Sequence, residues 1–299
     1  MSRRDIPASV RDRLLNKSKV LKRPFLEILQ YYAMERLLYR LSISPYANRF
    51  FLKGALMFRA WHTSSPRPTM DIDLLGKTEN SVKNLENIFS EICQQNDCQD
   101  GISFYANTVK GSIIQTEAEY EGVRIEFEGD LNKAIVHMQI DIGFGDIISP
   151  APQILPYPTL LDYPPPTLQA YTRESVIAEK LEAMIKRGLL NSRMKDFFDI
   201  WTLAHQFSFK SNQLAHSIKA TFDQRGTPLS AFPECFSEVF VTDPLKISQW
   251  NSFLQKHRIQ HNALSLQEVV AFLVRFLSPV LNPTQETIDV TWHPPDKWI

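Results

Sequence analysis

At 299 residues and 34.5 kDa the chain has room for two domains of about 100–200 residues each. Hydrophobic residues at 43%, aromatics at 11% and charged residues at 22% exclude global disorder, and 10 glycines without a period exclude a collagen-like chain. The 33 basic and 33 acidic residues cancel. The longest apolar stretch, Val269 to Leu281, is broken by Arg275 and Pro279 and falls short of the ~20 residues a membrane span needs.

The opening MSRRDIPASVRDRLLNKSK lacks the apolar run of a secretory leader. Cys93, Cys98 and Cys235 form no disulfide framework, and the first two lack the second ligand pair of a zinc site. A cytoplasmic protein without membrane contact is expected. Residues 1–40 hold ten cations (Arg3, Arg4, Arg11, Arg13, Lys17, Lys19, Lys22, Arg23, Arg36 and Arg40) against four acids. Such an arm can recruit a polyanion or be a solvated helix face.

Residues 8–42 predict two helices. Pro24 sits in the first turn of the second, and Phe25, Ile28, Leu29, Tyr32, Leu37, Leu38 and Leu41 recur at helical spacing. Phe50-Phe51-Leu52 predicts a buried strand that turns at Lys53-Gly54 into a helix from Ala55 to Trp61. After a polar loop, Met70 to Leu75 predict a second strand ended by Gly76, and 79–95 a helix. Further strands are expected at about 102–109, 121–128 and 135–142. In the last two, Val123, Ile125 and Phe127 alternate with Arg124, Glu126 and Glu128, and Val136, Met138, Ile140 and Ile142 with His137, Gln139 and Asp141. The proline-rich stretch from Pro150 to Pro166 marks a boundary or a wrapping linker. Helices are expected at 173–188, 193–206, 211–224, 245–257 and 265–277. The expected class is α+β: a basic helical arm at 1–46, a small mixed-sheet core at 47–150, a linker at 151–166 and a helical domain at 167–299.

The acidic strand is the most informative segment. Residues i and i+2 of a strand share a face, so Asp71 and Asp73 project together while Ile72 enters the core. Two like charges on one face call for a cation, and oxygen donors select Mg2+ or Mn2+. Asp141, on the polar face of another strand, supplies a third carboxylate if the strands are neighbours. Three carboxylates around metal suit phosphoryl and nucleotidyl transfer. The turn at Gly54 lets backbone N–H groups approach a phosphate, aided by the following helix. Lys53 and Arg67 are further candidates for phosphate contact. His137 and Asp146 are weaker candidates, Asp146 as a substitute third acid.

Four segments, FLKGALMFRAW, RPTMDIDLLG, QIDIGFGD and AEKLEAMIKRGLLNSRMKDFFDIW, span about residues 50–205 in order. Together they resemble the AbiEii/AbiGii toxin family within the DNA polymerase β-like nucleotidyltransferases. The resemblance implies a nucleotidyltransferase core whose active site the helical domain completes. It makes Gly54 the glycine of the first motif, Asp71 and Asp73 the metal pair and Asp141 the third acid. This chain has Gly54-Ala55 where the superfamily has Gly-Gly or Gly-Ser, so Ala55 can offer a nucleotide only its backbone N–H. The spacer from Ala55 to Asp71 is 15 residues, longer than usual.

The family's Lys-Leu…Arg motif matches Lys180, Leu181 and Arg187. Seven residues apart on a helix, Lys180 and Arg187 share a face ~10 Å long and would neutralise a triphosphate; apart from the resemblance they read as surface cations. Asp199 either positions Lys180 or acts as a general base. Asp196 pairs with Lys195 or Arg193, or simply sits in a helix's first turn. The implied activity moves a nucleoside monophosphate from an NTP to an acceptor hydroxyl with Mg2+ (or Mn2+) as cofactor. The implied acceptor is the tRNA 3′ end, with the basic arm holding RNA. The implied role is the toxin of an abortive-infection toxin–antitoxin pair, with an antitoxin partner. A protein hydroxyl as acceptor and a non-catalytic binding partner are the alternatives.

Overall fold

The computed structural model describes residues 5–63, 68–95, 98–114, 121–230, 232–259, 264–282, 289–295 and 297–299. The chain divides into two units, Met1–Gly145 with Gln153–Ala170, and Asp146–Pro152 with Tyr171–Ile299.

The first unit opens with α1 (Ile6–Leu21), whose N-terminus is capped by the Asp5 side chain, and α2 (Phe25–Ser42), which starts after Pro24. There follow β1 (Phe50–Lys53), α3 (Leu56–Ala60), β2 (Ile72–Gly76), α4 (Val82–Cys93), β3 (Ser103–Phe104), β4 (Lys110–Ile114), β5 (Gly122–Leu131), β6 (Ala134–Gly143), β7 (Gln153–Pro156) and β8 (Thr167–Ala170). The sheet runs β3-β5-β6-β2-β1-β8-β7, with β4 also pairing β5. β2 is parallel to β6 and antiparallel to β1, so the sheet is mixed, as the α+β expectation required.

Three boundaries differ from the sequence reading. The arm at 1–46 is not set apart. α1 and α2 belong to the sheet unit because α2 sends two cations inward: Arg36 Nε lies 2.9 Å and Arg40 Nη1 2.8 Å from Asp100 Oδ2, all three side chains being buried. Those arginines are internal counter-charges, which leaves Arg11, Arg13, Lys19 and Lys22 as exposed cations. Arg3 and Arg4 lie outside the described residues. The stretch 151–166 is not only a linker, since Gln153–Pro156 pairs with β8. Pro156 is tolerated there because β7 is an edge strand. The strand expected at 102–109 is two residues of β3 and a 3-10 turn at Ala106–Thr108, with β4 following.

The second unit holds α5 (Arg173–Arg187), α6 (Met194–Gln206), β9 (Phe209–Lys210), α7 (Ser211–Gln224), α8 (Glu238–Thr242), α9 (Pro244–Lys256), α10 (Leu266–Leu281), β10 (Thr291–His293) and β11 (Lys297–Trp298). Thr172 caps α5, and Ser265 with Glu268 forms a capping box on α10. The three-stranded sheet β11-β10-β9 and the short α8 were not foreseen, being too short to show a period. Buried Trp292 anchors the small sheet by donating its indole N–H to Ala204 O at 2.6 Å. Among the described residues no helix is long and apolar enough to cross a membrane.

Candidate active site

Four charged residues stand side by side across four strands. Lys53 on β1 is the register partner of Asp73 on β2, Asp73 of Asp141 on β6, and Asp141 of Arg124 on β5. Directly opposed residues share a face. Their neighbours Leu52, Ile72, Leu74, Ile140, Ile142, Val123 and Ile125 are buried on the other face, whereas the four charged side chains are half-buried. The result is a row of cation, acid, acid, cation at the ~4.8 Å spacing of strands. Asp71, two residues before Asp73, joins the same face. The Tyr31 hydroxyl accepts the Thr69 N–H at 3.1 Å, tying down the approach to Asp71.

Gly54 closes this row at the β1 end. Its φ is +71°, and a Cβ placed there would lie 2.0 Å from Asp73 Oδ2. Only glycine brings the turn's backbone this close to the carboxylate. Ala55 is 5% exposed in right-handed conformation, and α3 is a single five-residue helix, so its dipole adds little.

Arg124 was not singled out from the sequence; its one signal there was its place on the polar face of β5. It grips Asp141 with two parallel bonds, Nε to Oδ1 and Nη2 to Oδ2, both 2.8 Å. With the Gln139 amide turned over, its oxygen accepts from Arg124 Nη2 at 3.0 Å. The bond to Asp141 raises the pKa of the guanidinium; desolvation opposes this, and the charges of Asp141, Asp71 and Glu126 add to it. The described side chains contain no ready cluster of three or more His, Cys, Asp or Glu around one metal position. The donor chemistry of Asp71 and Asp73 fits a hard divalent cation. Asp141 has the right strand position, but both its oxygens face Arg124. A groove of about 310 Å3 beside Asp71 is walled by Leu26, Leu29, Met70 and Met138.

In the second unit Lys180 Nζ lies 2.8 Å from both Asp196 Oδ1 and Asp199 Oδ2, and Arg193 Nε lies 2.6 Å from Asp196 Oδ2. Asp199 thus holds Lys180. Asp196 is shared by Lys180 and Arg193. Burial alone would raise the Asp196 carboxyl, but the two cations and their hydrogen bonds bring it down to about 2. Arg187 is exposed in the last turn of α5. Asp146 is bound by Arg225 Nη2 at 2.8 Å, in a buried cluster with Glu182. His137 is exposed, its Nδ1 3.5 Å from Glu128 Oε1. Arg67 lies outside the described residues.

Gly54→Ala should cost about 1–2 kcal/mol from the positive φ alone and push Asp73 aside. Urea denaturation measures the loss, and stability within about 0.5 kcal/mol of wild type would contradict the packing described. The depressed Asp196 pKa makes a signed prediction. Its stabilisation is complete above the ordinary carboxylate value of 3.8 and is lost as pH falls towards about 2. Wild type should lose about 2 kcal/mol more than Asp196→Asn across that window in pH-dependent unfolding. Parallel curves for the two proteins would contradict it.

The sequence of this chain matches the family profile of the AbiEii nucleotidyl transferase toxin of type IV toxin–antitoxin systems over residues 36–272. No curated protein matches it. Among solved structures it is similar to JHP933 from Helicobacter pylori, at 15% identity and TM-score 0.46 over 82% of this chain and 86% of that one. It is also similar to MenT4, a nucleotidyltransferase toxin from Mycobacterium tuberculosis, at 17% identity and TM-score 0.46 over 92% and 97%. A nucleotidyltransferase structure from H. pylori aligns at 15% identity and TM-score 0.45 over 82% and 89%. With the profile spanning most of its length, the chain belongs to the AbiEii family of nucleotidyltransferase toxins.

Proposed function

We propose that this nucleotidyltransferase moves a nucleoside monophosphate from an NTP to the 3′ hydroxyl of an RNA, with tRNA as the acceptor, in the cytoplasm. The observation that carries the reading is the row Lys53–Asp73–Asp141–Arg124, closed by a glycine turn that no side chain could occupy. Asp71 and Asp73 would hold Mg2+, or Mn2+ in its place, with Asp141 as third acid. When bound, such a cation neutralises the triphosphate and lowers the pKa of the acceptor hydroxyl. Transfer would form the bond from the acceptor oxygen to the α-phosphorus, break the bond to pyrophosphate and release the hydroxyl proton to water.

Lys53 brings a point charge, and the backbone of Gly54 and Ala55 brings N–H donors, to the turn beside Asp73. Lys180 and Arg187 are assigned to the triphosphate by family resemblance, with Asp199 holding Lys180. The groove bounded by Asp71 would take the terminal nucleoside of the acceptor. The exposed cations of α1 would contact RNA phosphates and make binding salt-dependent. Family membership implies an NTP substrate and an antitoxin partner.

The test is transfer of label from α-labelled NTPs to total RNA and, in parallel, to total protein. Wild type should label small RNA, and Asp73→Asn should lower this by about 100-fold or more. Label in protein alone would replace RNA by a protein hydroxyl as acceptor. No label in either fraction with any NTP would overturn the catalytic assignment of these aspartates.

A further inference from the structure

We propose that Arg124 is a displaceable counter-cation, holding Asp141 in the metal-free protein and releasing it when the aspartate set is loaded. The inference rests on Asp71, Asp73 and Asp141 being the metal-binding set.

Three observations carry it. First, Arg124 faces both oxygens of Asp141 at 2.8 Å, and Asp141 stands directly opposite Asp73. The best-placed third carboxylate is therefore already neutralised. Second, Asp73 stands in register with Asp141 on the neighbouring strand, and Asp141 with Arg124 on the next. The guanidinium, with Lys53 at the other end of the row, thus offsets repulsion among the carboxylates on this face. A divalent cation would supply that same relief, and the two cations would repel each other across the few ångströms separating Asp141 from Asp73. Third, the pair is weak enough to exchange. The side chains are 34% and 22% exposed. Solvent screens such a pair, and the guanidinium can turn into water while keeping its charge solvated. The Lys180–Asp196 pair differs: its Asp196 carboxylate is fully buried.

The alternative is a permanent brace, in which Arg124 orients Asp141 for the metal and stays in place. The two accounts give opposite signs. Under displacement, removing Arg124 tightens metal binding; under bracing, it weakens it. A third account, in which the positive charge repels metal through space without involving Asp141, also predicts tightening, but independently of Asp141.

Calorimetric titration of the full-length protein with Mn2+ separates them, using wild type, Arg124→Gln, Asp141→Asn and the double variant at one ionic strength. Displacement predicts about fivefold tighter Mn2+ binding in Arg124→Gln, the upper end for a part-exposed ion pair. It predicts no such gain when Asp141 is already Asn. In chelator, without metal, Arg124→Gln should unfold at a lower temperature than wild type. Unchanged or weaker Mn2+ binding in Arg124→Gln would overturn the proposal. So would an equal gain in the Asp141→Asn background. If Arg124→Gln fails to fold, Arg124→Lys, which keeps the charge but loses the two-pronged grip, should show a smaller gain of the same sign, and no gain overturns the proposal. Asp73→Asn is the control for the underlying reading. Full Mn2+ binding by that variant would remove these aspartates as the metal set, a failure distinct from that of displacement.

Discussion

Two carboxylates on adjacent strands, Asp73 and Asp141, repel each other across one strand spacing, and the first unit is arranged around that repulsion. At ~4.8 Å and an effective dielectric of about 20 the cost is about 3 kcal/mol. Asp71 on the same face adds to it. The sheet answers with a cation at each end of the row, Lys53 and Arg124. It also answers with topology. β6 enters beside β2 in parallel, which no hairpin could achieve, so the chain first passes through α4 and the antiparallel strands leading to β5. Gly54 then lets the turn after β1 pack against Asp73 where any side chain would collide.

The second unit assembles charges too, with a different outcome. Lys180 and Arg193 face Asp196 and Asp199, two cations against two acids, with both carboxylates buried. Burial removes the competition from water, so the pairing depresses the Asp196 pKa and resists exchange. The Arg124–Asp141 pair, by contrast, is part-exposed on both sides. Exposure, more than bond length, separates a fixed charge cluster from an exchangeable one, since both are built from contacts of 2.8 Å or less.

Much of this was readable in one dimension. The alternation of Val123 to Glu128 and of Val136 to Asp141 identified β5 and β6, and the i, i+2 relation placed Asp71 with Asp73. Asp141 could be proposed, but its position opposite Asp73 is a fact of strand pairing that no local period encodes. Arg124 escaped notice for the same reason: its importance lies in the residue across from it. Arg36 and Arg40 looked like part of a surface patch because local sequence does not reveal Asp100, some sixty positions away, as their buried partner. β7 was hidden by prolines that a central strand would exclude and an edge strand accepts.

Anomalous scattering from crystals soaked in Mn2+ tests the central claim most directly. The account predicts a peak within about 2.2 Å of carboxylate oxygens from Asp71 and Asp73. A peak seated elsewhere, with water alone between those two carboxylates, would contradict it.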